Sequence, residues 1–204
     1  MPPAASERRE NILQVAEDAF GESGFAGARI EDIAVRAGIR RPSLLHHFSD
    51  KQTLYAAVAI HILEDVAQRL IAATDAAGDT PLDRLTDGWI DFLLERPNAA
   101  RFLLRHMIDP LPLPGIEEAT ARVLGELQEA IDLGFRLGAN KRGDASELAL
   151  VLASASLVWA SSRTAVEGVL TDDTLAPEQI ETQRDVLRQL MRQLLGASTR
   201  TEND

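Results

Sequence analysis

Ile30-Glu-Asp-Ile-Ala-Val-Arg-Ala-Gly-Ile-Arg-Arg-Pro-Ser-Leu-Leu-His-His-Phe-Ser-Asp-Lys51 is the stretch whose reading decides the fold. Ile30, Ile33, Ala34 and Ala37 recur at helical spacing and predict a short helix from about Ile30 to Ala37. Gly38 then stands where a helix ends in the left-handed conformation, which glycine adopts without steric cost. Pro42 suits the first turn of a second helix, because its φ is already helical and its missing N–H has no partner there. Leu44 and Phe48 give that helix an apolar side, while Arg41, Ser43, Leu45 and His46 lie on the other. Helix, glycine turn and short helix with a basic, polar face form a helix-turn-helix pattern, whose second helix is the one that enters a DNA major groove.

The flanks extend the pattern. From Glu7 to about Ser23, Ile12, Val15, Ala16, Ala19 and Phe20 repeat at three and four, as in an amphipathic helix, with Ser6 as candidate N-cap and Gly21 and Gly24 marking its end. Such a helix braces the next two; Arg8 and Arg9 also reach far enough for a phosphate or the minor groove. On the other side, Ser49 and Gln52 have the spacing of a capping box. The helix opening there, with the Lys51 ammonium, makes a phosphate anchor or, without DNA, an ordinary capped helix. His46 and His47 are adjacent and so do not share a helical face, which argues against a metal pair.

These residues carry a resemblance. Ile33-Ala34, Ala37-Gly38-Ile39, Ser43-Leu44, His47-Phe48 and Lys51, at these spacings, resemble the DNA-binding signature of the TetR family of bacterial transcriptional regulators, over roughly the first 55 residues. The resemblance implies a dimeric repressor that binds a palindromic operator, with a C-terminal domain that takes a small ligand. Carried onto this chain, its DNA-binding positions are Arg29, Arg40, Arg41, Pro42, Ser43, Leu45, His46, His47 and Lys51. Three of them depart from the family pattern. Arg29 stands where a threonine usually caps the helix, and a guanidinium cannot cap. Arg40 replaces a frequent serine. Leu45 replaces a tyrosine and cannot donate to a phosphate.

The chain is acidic overall, with a net charge of −11, yet residues 1–52 hold 7 Lys+Arg against 8 Asp+Glu and the rest holds 14 against 24. The DNA-reading candidate is therefore the near-neutral part. The acidic remainder restricts the approach of DNA to one face and keeps non-specific affinity modest. Absence of cysteine excludes disulfides and thiolate chemistry and is compatible with a reducing cytoplasm. The N-terminal residues lack the apolar core of a signal peptide. The longest uncharged stretch, Leu148 to Ser162, is 15 residues and reads as a buried helix rather than a membrane span.

The fold expected is all-α, with about nine helices: a three-helix DNA-binding domain over residues 1–52 and a helical ligand-binding and dimerisation domain over 53–204. A long helix runs from Asp50 to about Thr74, and others cover Pro81–Glu95, Asn98–Ile108, Ile116–Leu137, Asp144–Leu170 and Pro177–Leu195. Prolines between Asp109 and Gly115 forbid a helix throughout that segment, and no strand signal appears. Asp144–Leu170 is apolar nearly all round, and the final helix sets Ile180, Val186, Leu187, Leu190, Met191, Leu194 and Leu195 against Arg184, Arg188 and Arg192. These last two helices either complete the monomer core or form a four-helix homodimer interface, as the resemblance implies. Trp89, Phe92, Phe102, Phe135 and Trp159, with His106, Arg101 or Arg163 as a polar handle, fit the lining of a hydrophobic effector site; aromatics so spaced also fit a plain core. No catalytic, nucleotide-binding or metal motif is present, so no cofactor is expected. A ligand-responsive regulator acting on double-stranded DNA is the leading reading. An all-α ligand carrier or enzyme with a vestigial DNA-binding unit, and a helical scaffold, remain alternatives.

Overall fold

The computed structural model describes residues 5–75, 81–109, 111, 117, 121, 125, 153–161 and 177–195. The continuous helices among the described residues are α1 (Ala5–Gly27), α2 (Ile30–Arg36), α3 (Arg41–His47), α4 (Lys51–Asp75), α5 (Pro81–Glu95), α6 (Pro97–Ile108), α7 (residues 153–161) and α8 (Pro177–Leu195). No strand occurs among the described residues. The expected helix over Ile116–Leu137 and the proline-rich segment after Asp109 lie mostly outside the described residues, as do the two ends of the one over Asp144–Leu170.

The chain divides into two compact units. The first takes α1–α3, α4 as far as Asp65, and α6; the second takes α4 from Val66, α5, α7 and α8. In the first, Ile12, Leu13, Phe20, Ile33, Leu44, Leu54 and Phe102 are fully buried and come from every one of its helices. The helix period read from the sequence is thus the period of the core.

Gly21, expected from the sequence to help end α1, does not end it. It is buried inside the helix, and a Cβ there would lie 2.5 Å from the backbone oxygen of Asn98. The missing side chain lets the start of α6 approach α1, where Asn98 also donates to Asp18 Oδ1 at 2.8 Å. The break falls at Gly24, whose φ of 70° is left-handed.

A buried charge network ties the same elements. Glu17 on α1 is 1% exposed. Its carboxylate accepts from Arg96, which stands at the N-cap of α6 and also donates through Nη1 to Asp65 on α4 at 2.6 Å. Burial raises the Glu17 pKa above the ordinary carboxylate value, while the hydrogen bond and charge of Arg96 pull it back.

In the second unit, α8 lies antiparallel to α5. Arg192 pairs with Asp83 at 2.7 Å, Arg188 with Asp87 at 2.5 Å, and Arg184 with Asp91 at 2.7 Å. Both rows advance four residues at a time, one helical turn, so each arginine meets an aspartate in turn. The arginines of α8 are thus a packed face, and Val186 and Leu190 remain exposed at 44% and 37%.

Removal of Arg96 leaves Glu17 as a buried carboxylate without its cation. Arg96→Met is expected to cost about 3 kcal/mol at pH 7.5 in urea unfolding. Because the folded-state Glu17 pKa is raised, the folded protein takes up its proton first, and stability falls as pH rises through the window just above the ordinary carboxylate value. The variant raises that pKa further, so its deficit shrinks as the pH is lowered from 7.5 to 5 and Glu17 takes up its proton, and Glu17→Gln in the same background recovers most of it at pH 7.5. An equal deficit at both pH values contradicts this account.

Candidate nucleic-acid interface

Three local arrangements hold α2 and α3 in place. The turn after α2 closes with paired hydrogen bonds, Gly38 N–H to Val35 O and Ile39 N–H to Ala34 O, both at 3.0 Å, with Gly38 at φ 70°. That is the Schellman arrangement, and it satisfies carbonyls that would otherwise end the helix unpaired. Asn11 on α1 donates to the carbonyl of Ala37 at 3.1 Å and takes up a further one. Arg36 on α2 pairs with Glu22 on α1 at 3.0 Å. Beneath, Ile30, Ile33 and Ala34 of α2 and Leu44 of α3 are buried, and Phe48, directly after α3, is 2% exposed with the Arg9 guanidinium 5.2 Å above its ring.

This frame turns one side of α3 outward. Arg41, Pro42, Ser43 and His46 are exposed, and Leu45 and His47 are half-buried. Arg40, the N-cap residue of α3, is exposed in extended backbone. Arg29 occupies the N-cap of α2 and makes no side-chain cap bond, as its chemistry requires. Next to it Glu31 accepts from its own backbone N–H, which is the first cause holding its pKa below the ordinary value; the charges of Arg41 and Arg29 act in the same direction.

The entry to α4 differs from the expectation. Asp50, not Ser49, caps the helix: its Oδ1 accepts from the Thr53 N–H at 2.7 Å, and its carbonyl from the Leu54 N–H at 3.1 Å. A carboxylate is the stronger acceptor at a helix N-terminus and is favoured by the dipole, so it displaces the serine hydroxyl, which instead bonds Asp50 Oδ2 at 3.1 Å. The Thr53 bond holds the Asp50 carboxyl below its usual range. Lys51 is half-buried, with Nζ 4.6 Å above the Phe25 ring and 3.4 Å from the carbonyl oxygen of Ala26; burial lowers its pKa.

The nine residues from Arg29 to Lys51 thus belong to one helix-turn-helix unit and its edges. The expected effector residues do not form one group. Phe102 and His106 lie in the first unit, where Phe102 packs against Phe20 and Tyr55 with ring centroids 6.3 and 4.5 Å away. The close seat of α6 at Gly21 brings them there. Burial raises the Tyr55 pKa to about 12 and lowers that of His106. Trp89 and Phe92 lie in the second unit, stacked 5.7 Å apart, and Trp159 is half-buried on α7. Phe135 and Arg163 lie outside the described residues. Trp89 Nε1 and His106 Nδ1 are buried atoms without a hydrogen-bond partner among the described residues.

Sequence reading passes over Asn11, Glu31 and Asp50. An aspartate three residues before Thr53 is a visible cap signal. Asn11 and Glu31 carry no local signal, because their partners are set by how α1, α2 and α3 cross. Chemically the surface offers guanidinium, imidazole, hydroxyl and ammonium donors, the set that meets phosphates and base edges. No cluster of three or more potential metal-ligating side chains occurs among the described residues, and none of their helices is long and apolar enough to cross a membrane.

Known proteins share this arrangement. Residues 12–58 match the family described as bacterial regulatory proteins, tetR family. Over 130 residues the chain is 32% identical to the HTH-type transcriptional regulator RutR of Escherichia coli K12, a match that spans 63% of this chain and only 59% of RutR. It is 31% identical over 143 residues to the HTH-type transcriptional regulator Mb3439c of Mycobacterium bovis, spanning 67% of this chain and 69% of that protein. A solved TetR family transcription regulator from Marinobacter aquaeolei VT8 has the same fold, with a TM-score of 0.71 at 19% identity over 91% of this chain and 95% of its own. On the helix-turn-helix geometry and these matches together, the chain belongs to the TetR family of bacterial transcriptional regulators.

Proposed function

We propose that this protein is a ligand-responsive repressor that binds a palindromic operator as a homodimer and is released from it by a small, hydrophobic effector. The observation that carries this reading is the outward side of α3, where Arg41, Ser43 and His46 are exposed over a frame that buries Leu44 and Phe48. Residues 1–52 read DNA in this proposal, and 53–204 carry effector binding and dimerisation. Arg41, Ser43 and His46 meet base edges with Pro42 seating the helix. Arg29, Arg40 and Lys51 meet phosphate, and Leu45 and His47 give apolar and polar contact at the groove wall.

The homodimer forms through α7 and α8. Support comes from Val158, Val186 and Leu190, which are 52%, 44% and 37% exposed while the arginine row of α8 is occupied by α5. For the effector, the lining is taken from the second unit, Trp89, Phe92 and Trp159 with Phe135 and Arg163, and Phe102 and His106, which belong to the first unit, leave the set. The unpartnered Trp89 Nε1 supports a polar handle there, since a buried donor without a partner gains most from a ligand atom. Release is a population shift: the effector favours one arrangement of the second domain, α4 moves with it, and the recognition helices no longer match the half-site spacing.

Two sets of variants test this. Arg41→Ala should weaken operator binding and relax base preference at one position per half-site, with discrimination reduced by about 1–3 kcal/mol. Lys51→Ala should weaken binding to every sequence alike and reduce the salt slope by about 0.9 for each phosphate that the lysine neutralises. Binding isotherms on single-base variants at several salt concentrations separate the two, and a reversed pattern refutes the assignment. For the dimer, Val158→Glu with Leu190→Glu should give a monomer at micromolar concentration in analytical ultracentrifugation; a wild-type sedimentation coefficient in a folded variant rules out this interface.

A further inference from the structure

A contact between α2 and α3 that sequence spacing does not reveal bears on how a base is chosen. Arg41 Nε lies 2.8 Å from Glu31 Oε1, and the two side chains are 56% and 53% exposed. A pair so open to solvent is a weak source of stability, so its position matters more than its energy. Glu31 stands in the first turn of α2, a helix whose Ile30, Ile33 and Ala34 are buried. Its carboxylate therefore meets the arginine from a packed helix.

The nitrogen that Glu31 engages is Nε. A guanine edge, with O6 and N7 side by side, is read by a pair of parallel N–H donors. Nη1 and Nη2 are such a pair, and a grip through Nε does not require them. The ion pair leaves that fork open and narrows the rotamers that an unpaired arginine would give up on binding. Arg40, the next residue back, is exposed and has no ion-pair partner among the described residues. The two arginines are chemically alike, and what separates them is the carboxylate on α2.

We propose that Glu31 is a positioning residue for DNA recognition: it holds Arg41 through Nε and presents the terminal fork to a guanine, so base preference at one position of each half-site depends on a residue that touches no DNA. This rests on α3 being the DNA-reading helix. It predicts a signature that neither a structural role nor a charge effect gives alone. Glu31 is an anion beside the DNA surface, so removing it favours DNA of any sequence. Removing it also frees Arg41, so discrimination at the guanine falls. Affinity for arbitrary DNA and selectivity should then move in opposite directions.

The test uses the full chain and a pool of duplexes randomised over the binding site. Wild-type protein selects its half-site from the pool. The selected duplex, its single-base variants and a scrambled duplex are then titrated against wild type, Glu31→Gln, Glu31→Ala and Arg41→Ala. Expected for Glu31→Ala is a drop of roughly tenfold in discrimination at one guanine per half-site, within the range for a bidentate contact, with affinity for the scrambled duplex equal or higher. Glu31→Gln, which keeps an acceptor oxygen without the charge, should keep part of the discrimination. Arg41→Ala should abolish preference at that same position, and adding Glu31→Ala to it should change nothing further there. Unchanged preference at every position in both Glu31 variants overturns the proposal, as does an equal drop in affinity on selected and scrambled DNA. A wild-type protein that enriches no half-site overturns the DNA-reading function itself, and the proposal with it.

Discussion

A carboxylate buried in the first unit constrains much of what surrounds it. Glu17 sits on α1 at 1% exposure, where an unpaired charge would be costly, and the cation that answers it comes from Arg96, far along the chain. That requirement brings the start of α6 to α1, and Gly21 makes room for it. With Asp65 on the same guanidinium, α1, α4 and α6 are held together. A hydrophobic contact would tolerate sliding between these helices, whereas the directional bonds of a guanidinium fork do not.

From that frame the outward side of α3 follows in short steps. α1 carries Asn11 and Glu22, which hold α2 through the Ala37 carbonyl and Arg36. The glycine turn at Gly38 sets the direction of α3, and Leu44 and Phe48 pin its inner side. What is left outside is polar and basic. This local surface exists in a chain with a formal net charge of −11, most of it carried after residue 52. In the proposed function, orientation on DNA is set by where the acids are as much as by where the arginines are.

Much of this is legible in the sequence, for identifiable reasons. Ile33, Ala34, Gly38, Pro42 and Leu44 each report local physics, a helix period, a left-handed turn or a helix start, and all fall where the structure has them. The inability of Arg29 to cap is likewise local chemistry. Gly21 reads as a stop because a glycine in a helix is ambiguous between a terminus and a close approach, and only the partner, Asn98, decides. The arginines of α8 give no hint that Asp83, Asp87 and Asp91 of α5 cover them, because a row of charges reads the same facing water or facing its complement. Sequence proximity groups Phe102 with Trp89, yet its ring packs on Tyr55 and Phe20. Side-chain pairings across helices, Glu31 with Arg41 among them, are set by tertiary crossing and leave no trace in spacing.

In the proposed function α3 reads DNA, two copies at a time. Hydroxyl-radical footprinting of the full-length protein on the duplex it selects tests this most directly. Two protected patches are expected on one face of the duplex, separated by about 10 base pairs or a multiple of that turn, and related by an inverted repeat in the sequence. A single patch, a continuous protection without symmetry, or none at protein concentrations that saturate a mobility shift contradicts it.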